Sequence, residues 1–137
     1  MPQINEPAPD LDISEWVQGK PSNIGQEKGR NIVIIVFQVN CPGCFNAGFP
    51  EFLESYRKFN NKPILFWGLA TAFEHFQWNN LENLKKLIDQ GEVVGDTFYS
   101  LNNQGMLEGN YLSYKIPFPI AWDKIYPADP LKAKDNA

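Results

Sequence analysis

The chain has 137 residues, of which 43% are hydrophobic and 14% aromatic, so it can bury one domain core and is not a disordered chain. Its formal net charge of -4 argues against a surface for nucleic acid or an anionic membrane, and no apolar run approaches the roughly 18 residues of a membrane helix. Residues 1–15 carry acids and prolines where a signal peptide needs a basic start and an apolar run, which predicts a cytoplasmic protein.

The first part of the chain predicts an arm, a strand and a helix. Residues 1–30 are rich in proline, glycine and polar side chains and predict an extended arm. The β-branched run 31–37 is typical of a strand buried on both faces. Apolar residues then recur at helical spacing over 45–59. Pro50 lies inside this helix, which predicts a kink and a lost backbone hydrogen bond.

The rest of the chain predicts a second strand and helix and one further short strand. The apolar run 63–70 predicts another buried strand. Asn80 is a natural N-cap for the helix that follows, and Gly91 is a natural stop. Strand, helix, strand and helix over short connections predict a parallel β-α-β unit with a right-handed crossover. For residues 92–115 the sequence predicts only an irregular segment, and for residues 117–123 it predicts one short strand.

The candidate site is the motif Cys41-Pro42-Gly43-Cys44, which holds the two cysteines of the chain. Cys41 falls at the predicted N-cap, where free N–H groups and the helix dipole favour a thiolate. Pro42 takes the first helical position, where its missing N–H costs nothing, and Gly43 completes the motif. Cys44 lies one turn in, near enough to bond to Cys41. We therefore expect Cys41 to attack a substrate disulfide and Cys44 to resolve the mixed disulfide.

Two structural interpretations of this motif are weaker than the interpretation as a redox pair. A disulfide that closes so short a loop removes little entropy from the unfolded chain, so it is a poor staple. A zinc site needs four ligands, and the chain offers two cysteines and one histidine. We therefore expect no metal and no cofactor.

The order of motifs resembles a known family. The residues that carry the resemblance are Ala8 to Ile13, Lys28 to Val33, Phe37 and Cys41 to Cys44. In this order they resemble the thioredoxin superfamily, and within it the TlpA-like and AhpC/TSA-like disulfide reductases.

The resemblance implies an α/β fold of the thioredoxin-like kind, with a central mixed sheet flanked by helices. It assigns residues 31–126 to this domain, residues 1–30 to its N-terminal arm and residues 127–137 to a polar tail. Three positions depart from ordinary thioredoxins. The departures are Asn40 where tryptophan is usual, Ile35 where a buried acid is usual, and Pro50 one residue beyond the usual helix proline.

The C-terminal part of the fold has two interpretations. Thioredoxin-like proteins place a cis-proline against the active-site disulfide, and Pro117 is a candidate for it. Residues 117–123 also resemble the segment that precedes the cis-proline strand in TlpA-like chains, which we favour because only a short polar stretch follows. Either interpretation implies a shortened C-terminal part, and an exposed sheet edge that favours a homodimer.

The loop after the second strand holds further candidates. Glu74 and His75 are expected at the same edge of the sheet as Cys41, because parallel strands end on one side. Glu74 resembles the acid that assists proton transfer in TlpA-like reductases; the alternative is a solvated loop residue. Phe66, Trp67 and Trp78 are predicted as core.

The sequence therefore predicts a thiol–disulfide oxidoreductase that acts on a protein or small-molecule disulfide, with an unidentified dithiol as electron donor. Partners among nucleic acids and membranes are not expected. One alternative is a peroxiredoxin-like peroxide reductase, although Gln38 stands where such enzymes carry threonine. Another is a non-enzymatic module that binds a partner or carries a soft metal such as Cu(I) on its thiols.

Overall fold

The structure is a computed structural model that describes residues 6–125. The tail predicted for 127–137 lies outside the described residues. The strands are β1 (Ile13–Gln18), β2 (Asn31–Phe37), β3 (Ile64–Ala70), β4 (Leu107–Glu108), β5 (Tyr111–Leu112) and β6 (Ile120–Asp123). The helices are α1 (Phe49–Phe59), α2 (Leu81–Gln90) and α3 (Gly95–Asn103), with a 3₁₀ turn at Ile24–Gln26 and a π-helical turn at Cys44–Gly48.

A four-stranded mixed sheet in the order β1-β6-β3-β2 organises the fold. Strands β2, β3 and β6 are parallel, and β1 from the N-terminal arm is antiparallel to β6. The predicted parallel β-α-β unit is confirmed. The Asn80 side chain accepts a hydrogen bond from the N–H of Asn83, and Gly91 ends α2 with φ of 75°, so both predicted helix boundaries are confirmed.

The two apolar runs differ in burial. Strand β3 is central and its last five residues are buried, as predicted. The prediction that β2 is buried on both faces is wrong, because two of its side chains are exposed and β2 is an edge strand of the sheet among the described residues. Val33 is 40% exposed and Val36 is 58% exposed. An apolar run indicates that a strand contributes to the core, but it does not indicate how many other strands pair with it.

The departure from regular α-helical geometry that is expected at Pro50 lies one turn before it in the chain. A π-helical turn follows the motif, and the N–H of Phe49 donates to the carbonyl of Cys44. Pro50 then lies in the first turn of α1, directly after the π-helical turn. A π turn holds one residue more than an α turn, which accommodates the extra residue between Cys44 and Pro50.

The irregular excursion predicted for 92–115 is wrong, since this segment contains α3 and the hairpin β4–β5. Helix α3 has no apolar stripe: Thr97 and Leu101 are its buried residues. It begins at Gly95 with φ of +59°. Such a helix lacks the period by which amphipathic helices are recognised.

The core is an aromatic cluster between α1 and the sheet, next to the motif. Phe49 is fully buried, with ring centroids 4.8 Å from Phe37 and 5.1 Å from Phe45. Phe66 and Trp67 are buried as predicted, whereas the prediction for Trp78 is wrong because its side chain is 40% exposed. Trp78 lies in the loop before α2, whose backbone is held by hydrogen bonds to His75 and to the Asn83 side chain.

The interpretation of Pro117 as a cis-proline is wrong for this structure, since residues 6–125 contain no cis peptide bond. Pro117 precedes the N-terminal end of β6, whereas Cys41 follows the C-terminal end of β2. Because the two strands run in the same direction, the proline and the disulfide lie at opposite ends of the sheet. The short strand predicted within 117–123 is confirmed as β6.

Candidate active site at the end of strand β2

The two cysteines form a disulfide at the junction of β2 and the helical segment. Their Cα atoms are 5.4 Å apart, and the N–H of Cys44 donates to the carbonyl of Cys41 at 3.1 Å. Pro42 is the first helical residue, so Cys41 stands at the N-cap position as the sequence predicted. A thiolate released at Cys41 would therefore face the positive end of a helix dipole.

The disulfide lies at the surface with the core behind it. Both cysteines are partly buried, and Cys44 packs against the core. Gly43 between them is exposed, with no atom within 4 Å of the place where a Cβ would stand. A substrate can therefore approach from the side of Gly43.

Helix α3 fixes the backbone at Cys41 through one buried side chain. The Thr97 hydroxyl accepts a hydrogen bond from the N–H of Cys41 at 2.8 Å and donates one to the carbonyl of Val39 at 2.9 Å. Thr97 is fully buried. Its hydroxyl thus satisfies a donor and an acceptor that would otherwise be buried without partners.

Asn40 links the motif to the start of α3. Its Oδ1 accepts from the N–H of Asp96 at 2.7 Å, and its Nδ2 donates to Asp96 Oδ2 at 3.4 Å. The N–H of Asn40 itself donates to Asn79 Oδ1 at 2.6 Å. Asn40 replaces the tryptophan of ordinary thioredoxins, and here it acts as a polar connector between three segments.

The loop after β3 lies at the same edge of the sheet as Cys41, as predicted. Gln38 Oε1 accepts from the N–H of Phe73 and from Asn79 Nδ2, both at 3.1 Å. Asn79 Nδ2 also donates to the carbonyl of Glu74 at 2.8 Å. The side chains of Glu74 and His75 are exposed, so the loop is held by its backbone and its carboxylate faces solvent. A catalytic role for Glu74 stays a prediction.

Sequence reasoning missed the buried polar residues that hold the site. They are Gln38, Asn79 and Thr97, together with Asn40, which the sequence marked only as a departure. Polar residues are usually exposed, and a single sequence carries no sign that these four are not. The adjacent asparagines at 79 and 80 were the one available signal, and only the second was interpreted.

Exposed aromatic side chains lie in the two segments that are hydrogen-bonded to residues 38–41. Phe73, Trp78 and Tyr99 are all exposed. Trp78 and Tyr99 line a groove of about 240 Å³ with Phe98 and Val94. A Cβ at Gly95 would stand 2.6 Å from Asn40 Oδ1 and 3.1 Å from Trp78 Cγ, so Gly95, which lines the groove, packs against the residue before Cys41. We call Phe73, Trp78 and Tyr99 the aromatic rim.

A partly buried tyrosine supports the turn after Cys44. The Tyr114 hydroxyl donates to the carbonyl of Phe45 at 2.7 Å. Burial raises the pKa of Tyr114 above its usual range, which keeps the hydroxyl protonated as a donor. The segment after β5 is thereby tied to the π-helical turn.

The described part of the chain shows neither a cluster of metal ligands nor a membrane-spanning helix. Residues 6–125 contain no group of three or more His, Cys, Asp and Glu side chains that could hold a metal ion. No helix among them is both long and apolar enough to cross a membrane.

Two solved structures resemble the chain. A thiol-disulfide isomerase from Corynebacterium glutamicum is 27% identical with a TM-score of 0.62, and the match covers 90% of this chain and 66% of that one. A thioredoxin-like superfamily protein is 27% identical with a TM-score of 0.60, covering 89% of this chain and 64% of that one. No family model and no curated protein matches the sequence.

The chain thus spans slightly less than two thirds of the length of these two structures. The likeness extends over nearly all of this chain. It confirms the predicted α/β fold of the thioredoxin-like kind, with a central mixed sheet flanked by helices.

Proposed function

We propose that this chain, a member of the thioredoxin superfamily, is a thiol–disulfide oxidoreductase whose reactive pair is Cys41 and Cys44. The observation that carries the proposal is the disulfide between them at the end of a parallel strand and the start of a helix. The likeness to a thiol-disulfide isomerase supports it. From the sequence resemblance we further propose that it belongs to the TlpA-like and AhpC/TSA-like branch, and a cytoplasmic location stays a prediction.

The proposed reaction is two exchanges of a disulfide bond. In the reduced protein the Cys41 thiolate attacks one sulfur of a substrate disulfide, and the other substrate sulfur leaves and takes a proton. Cys44 then attacks the Cys41 sulfur of the mixed disulfide, and the second substrate thiol is released. The substrate gains two electrons and two protons, the protein returns to the Cys41–Cys44 disulfide, and an external dithiol reduces it again.

The aromatic rim favours a polypeptide substrate over a small disulfide. Solvent-exposed aromatic side chains beside a reactive centre provide apolar contact area that binds residues flanking a substrate cysteine. Phe73 and Tyr99 stand in different segments, and both segments are hydrogen-bonded to residues 38–41. The N–H of Phe73 donates to the Gln38 side chain, and the Thr97 hydroxyl in the segment of Tyr99 accepts from the N–H of Cys41. Substrate contacts and the reacting sulfurs would therefore be held in one rigid frame.

The peroxiredoxin alternative receives no support from the site. Gln38 occupies the position where those enzymes orient peroxide with threonine. Its side chain is buried, and the side-chain Oε1 already accepts two hydrogen bonds. It holds the loop after β3 in place.

The proposal is tested by reduction of insulin disulfides with dithiothreitol as electron donor. The parent protein should accelerate the reaction and Cys41→Ser should not, because the attacking thiol is absent and Cys44 alone cannot complete the exchange. Peroxide consumption and Cu(I) titration on the same preparation separate the alternatives. Peroxide turnover, or Cu(I) binding without insulin reduction, would contradict the proposal.

Glu74 is proposed to accept the proton of Cys44 during resolution, because the loop that carries it lies at the edge of the sheet next to Cys41. Glu74→Gln should slow turnover by about 10²-fold or less, since a positioned base contributes about 10²- to 10⁴-fold and water can replace it at an open site. The measurement is the pH–rate profile, which should change on one limb only. Glu108→Gln, another exposed carboxylate, is the control. An unchanged Glu74→Gln profile would assign the proton to solvent.

A further inference from the structure

The turn that follows Cys44 contains a carbonyl group that the backbone of the turn does not supply with a donor. The N–H of Phe49 donates to the carbonyl of Cys44, which is the π-helical register. In this register the carbonyl of Phe45 would take its hydrogen bond from residue 50. That residue is Pro50, which has no N–H. The α-helical donor for the same carbonyl would be Phe49, whose N–H is already bound to Cys44.

Water cannot take the place of the missing donor, because Phe45 is wholly inaccessible to solvent. Its ring packs in the core, with centroids 5.1 Å from Phe49 and 6.2 Å from Phe37. A buried carbonyl without a partner is unfavourable, so a side chain must supply the bond. The hydroxyl of Tyr114, far away in the sequence, donates to this carbonyl at 2.7 Å.

The segment that carries Tyr114 is anchored on both sides of it. Before it, the N–H of Leu112 donates to the carbonyl of Gly91 at 2.8 Å. After it, the Gln18 side chain donates to the carbonyl of Ile116 at 2.7 Å. Burial raises the pKa of Tyr114 above its usual range, so the hydroxyl keeps its proton at every pH at which the two thiols ionise. The bond to the turn is therefore held by a fixed donor.

We propose that Tyr114 is a positioning residue for Cys44. Its hydroxyl supplies the hydrogen bond that Pro50 cannot donate, and it thereby holds the π-helical turn whose first residue is Cys44. The backbone of this turn sets the direction of the Cys44 thiol towards the Cys41 sulfur. The inference rests on the proposed exchange reaction, in which Cys44 performs the second step.

The two steps of the reaction should respond differently to loss of this hydroxyl. Cys41 precedes the turn, and its N–H is held from the other side by Thr97. Tyr114→Phe should therefore leave the attack of Cys41 on a substrate disulfide unchanged. It should slow the attack of Cys44 on the mixed disulfide by about ten- to a hundredfold, because small misplacements of reacting atoms can cost about 10²-fold.

The test is stopped-flow absorbance of the reduced protein mixed with one equivalent of dithiobis(nitrobenzoate), an aromatic disulfide whose two halves leave as coloured thiolates. The first thiolate is released when Cys41 attacks, and the second when Cys44 resolves the mixed disulfide, so each step has its own phase. The probe gains two electrons and the protein ends as the Cys41–Cys44 disulfide. We expect Tyr114→Phe to keep the first phase of the parent and to show a slower second phase.

Tyr111→Phe is the matched control, because it makes the same chemical change on a tyrosine of β5 that is 46% exposed. Both of its phases should equal those of the parent.

A rescue experiment separates positioning from a general loss of core stability. Pro50→Ala restores an N–H at position 50, and this N–H can donate to the Phe45 carbonyl. In the Pro50→Ala background, Tyr114→Phe should therefore slow the second phase much less than it does in the parent. A general effect of removing a hydroxyl from the core would be the same in both backgrounds.

Three results would overturn the proposal. They are an unchanged second phase in Tyr114→Phe, an equal slowing of both phases, and a slowing that Pro50→Ala does not reduce. A parent protein that releases no second thiolate would instead contradict the exchange reaction on which the proposal rests.

Discussion

Cys41 depends on a single hydroxyl from a distant helix. Thr97 binds the backbone on both sides of Asn40, as acceptor from Cys41 and donor to Val39, and no solvent reaches it. A side chain with one donor and two acceptor sites is needed there, because it must satisfy an N–H and a carbonyl at once. Thr97 is thus a positioning residue for the reactive thiol.

We expect Thr97→Val to lower the free energy of unfolding by about 1–3 kcal/mol, because it leaves two buried backbone groups without partners. Thr97→Ser keeps the hydroxyl and should lose less. Urea unfolding of the oxidised proteins measures this difference.

A purely structural role would change stability alone, so the rate of insulin reduction is the second measurement. The rate should fall in Thr97→Val and return towards the parent value in Thr97→Ser, with both variants folded. Equal rates in the two variants would contradict a positioning role.

At the scale of elements, α3 meets the motif through a glycine. Gly95 has φ of +59°, and a Cβ there would stand 2.6 Å from Asn40 Oδ1. Gly105 has φ of +68° with no atom within 4 Å of its Cβ position. The two glycines share the left-handed backbone and differ in their surroundings.

Gly105→Ala should cost about 1–2 kcal/mol of stability, which is the usual penalty for a left-handed residue with a Cβ. Gly95→Ala should lower stability further and should also lower the rate of insulin reduction, because Asn40 must move away from α3. Thermal unfolding and the reduction assay measure both effects. Equal losses of stability in the two variants would show that the contact with Asn40 carries no energy.

The elements that the sequence predicted well are those with a strong pattern of apolar residues or with a helix-capping residue. Strands β2 and β3 and helix α2 appear at the predicted positions, since runs of apolar residues and the pair Asn80 and Gly91 are local signals. Helix α3 was missed because its buried residues, Thr97 and Leu101, are too few to make a stripe. The site followed the same rule: the cysteines are only three positions apart in sequence, whereas their supports come from positions 79, 96 and 97.

At the scale of the whole molecule, what the sequence could not predict is which strand lies at the edge. Strands β2 and β3 have similar apolar composition, yet β3 is central and β2 is outermost. Neighbour relations depend on residues far apart in the chain, such as the pairing of β1 with β6.

The most direct test of the central claim is to trap the intermediate. Reduced Cys44→Ser and Cys41→Ser proteins are each mixed with a disulfide-containing protein and analysed by mass spectrometry after acid quenching. Cys44→Ser should accumulate a mixed disulfide through Cys41, because the resolving thiol is absent, and Cys41→Ser should accumulate none. Equal trapping by the two variants, or trapping through Cys44 alone, would contradict the assignment of Cys41 as the attacking thiol.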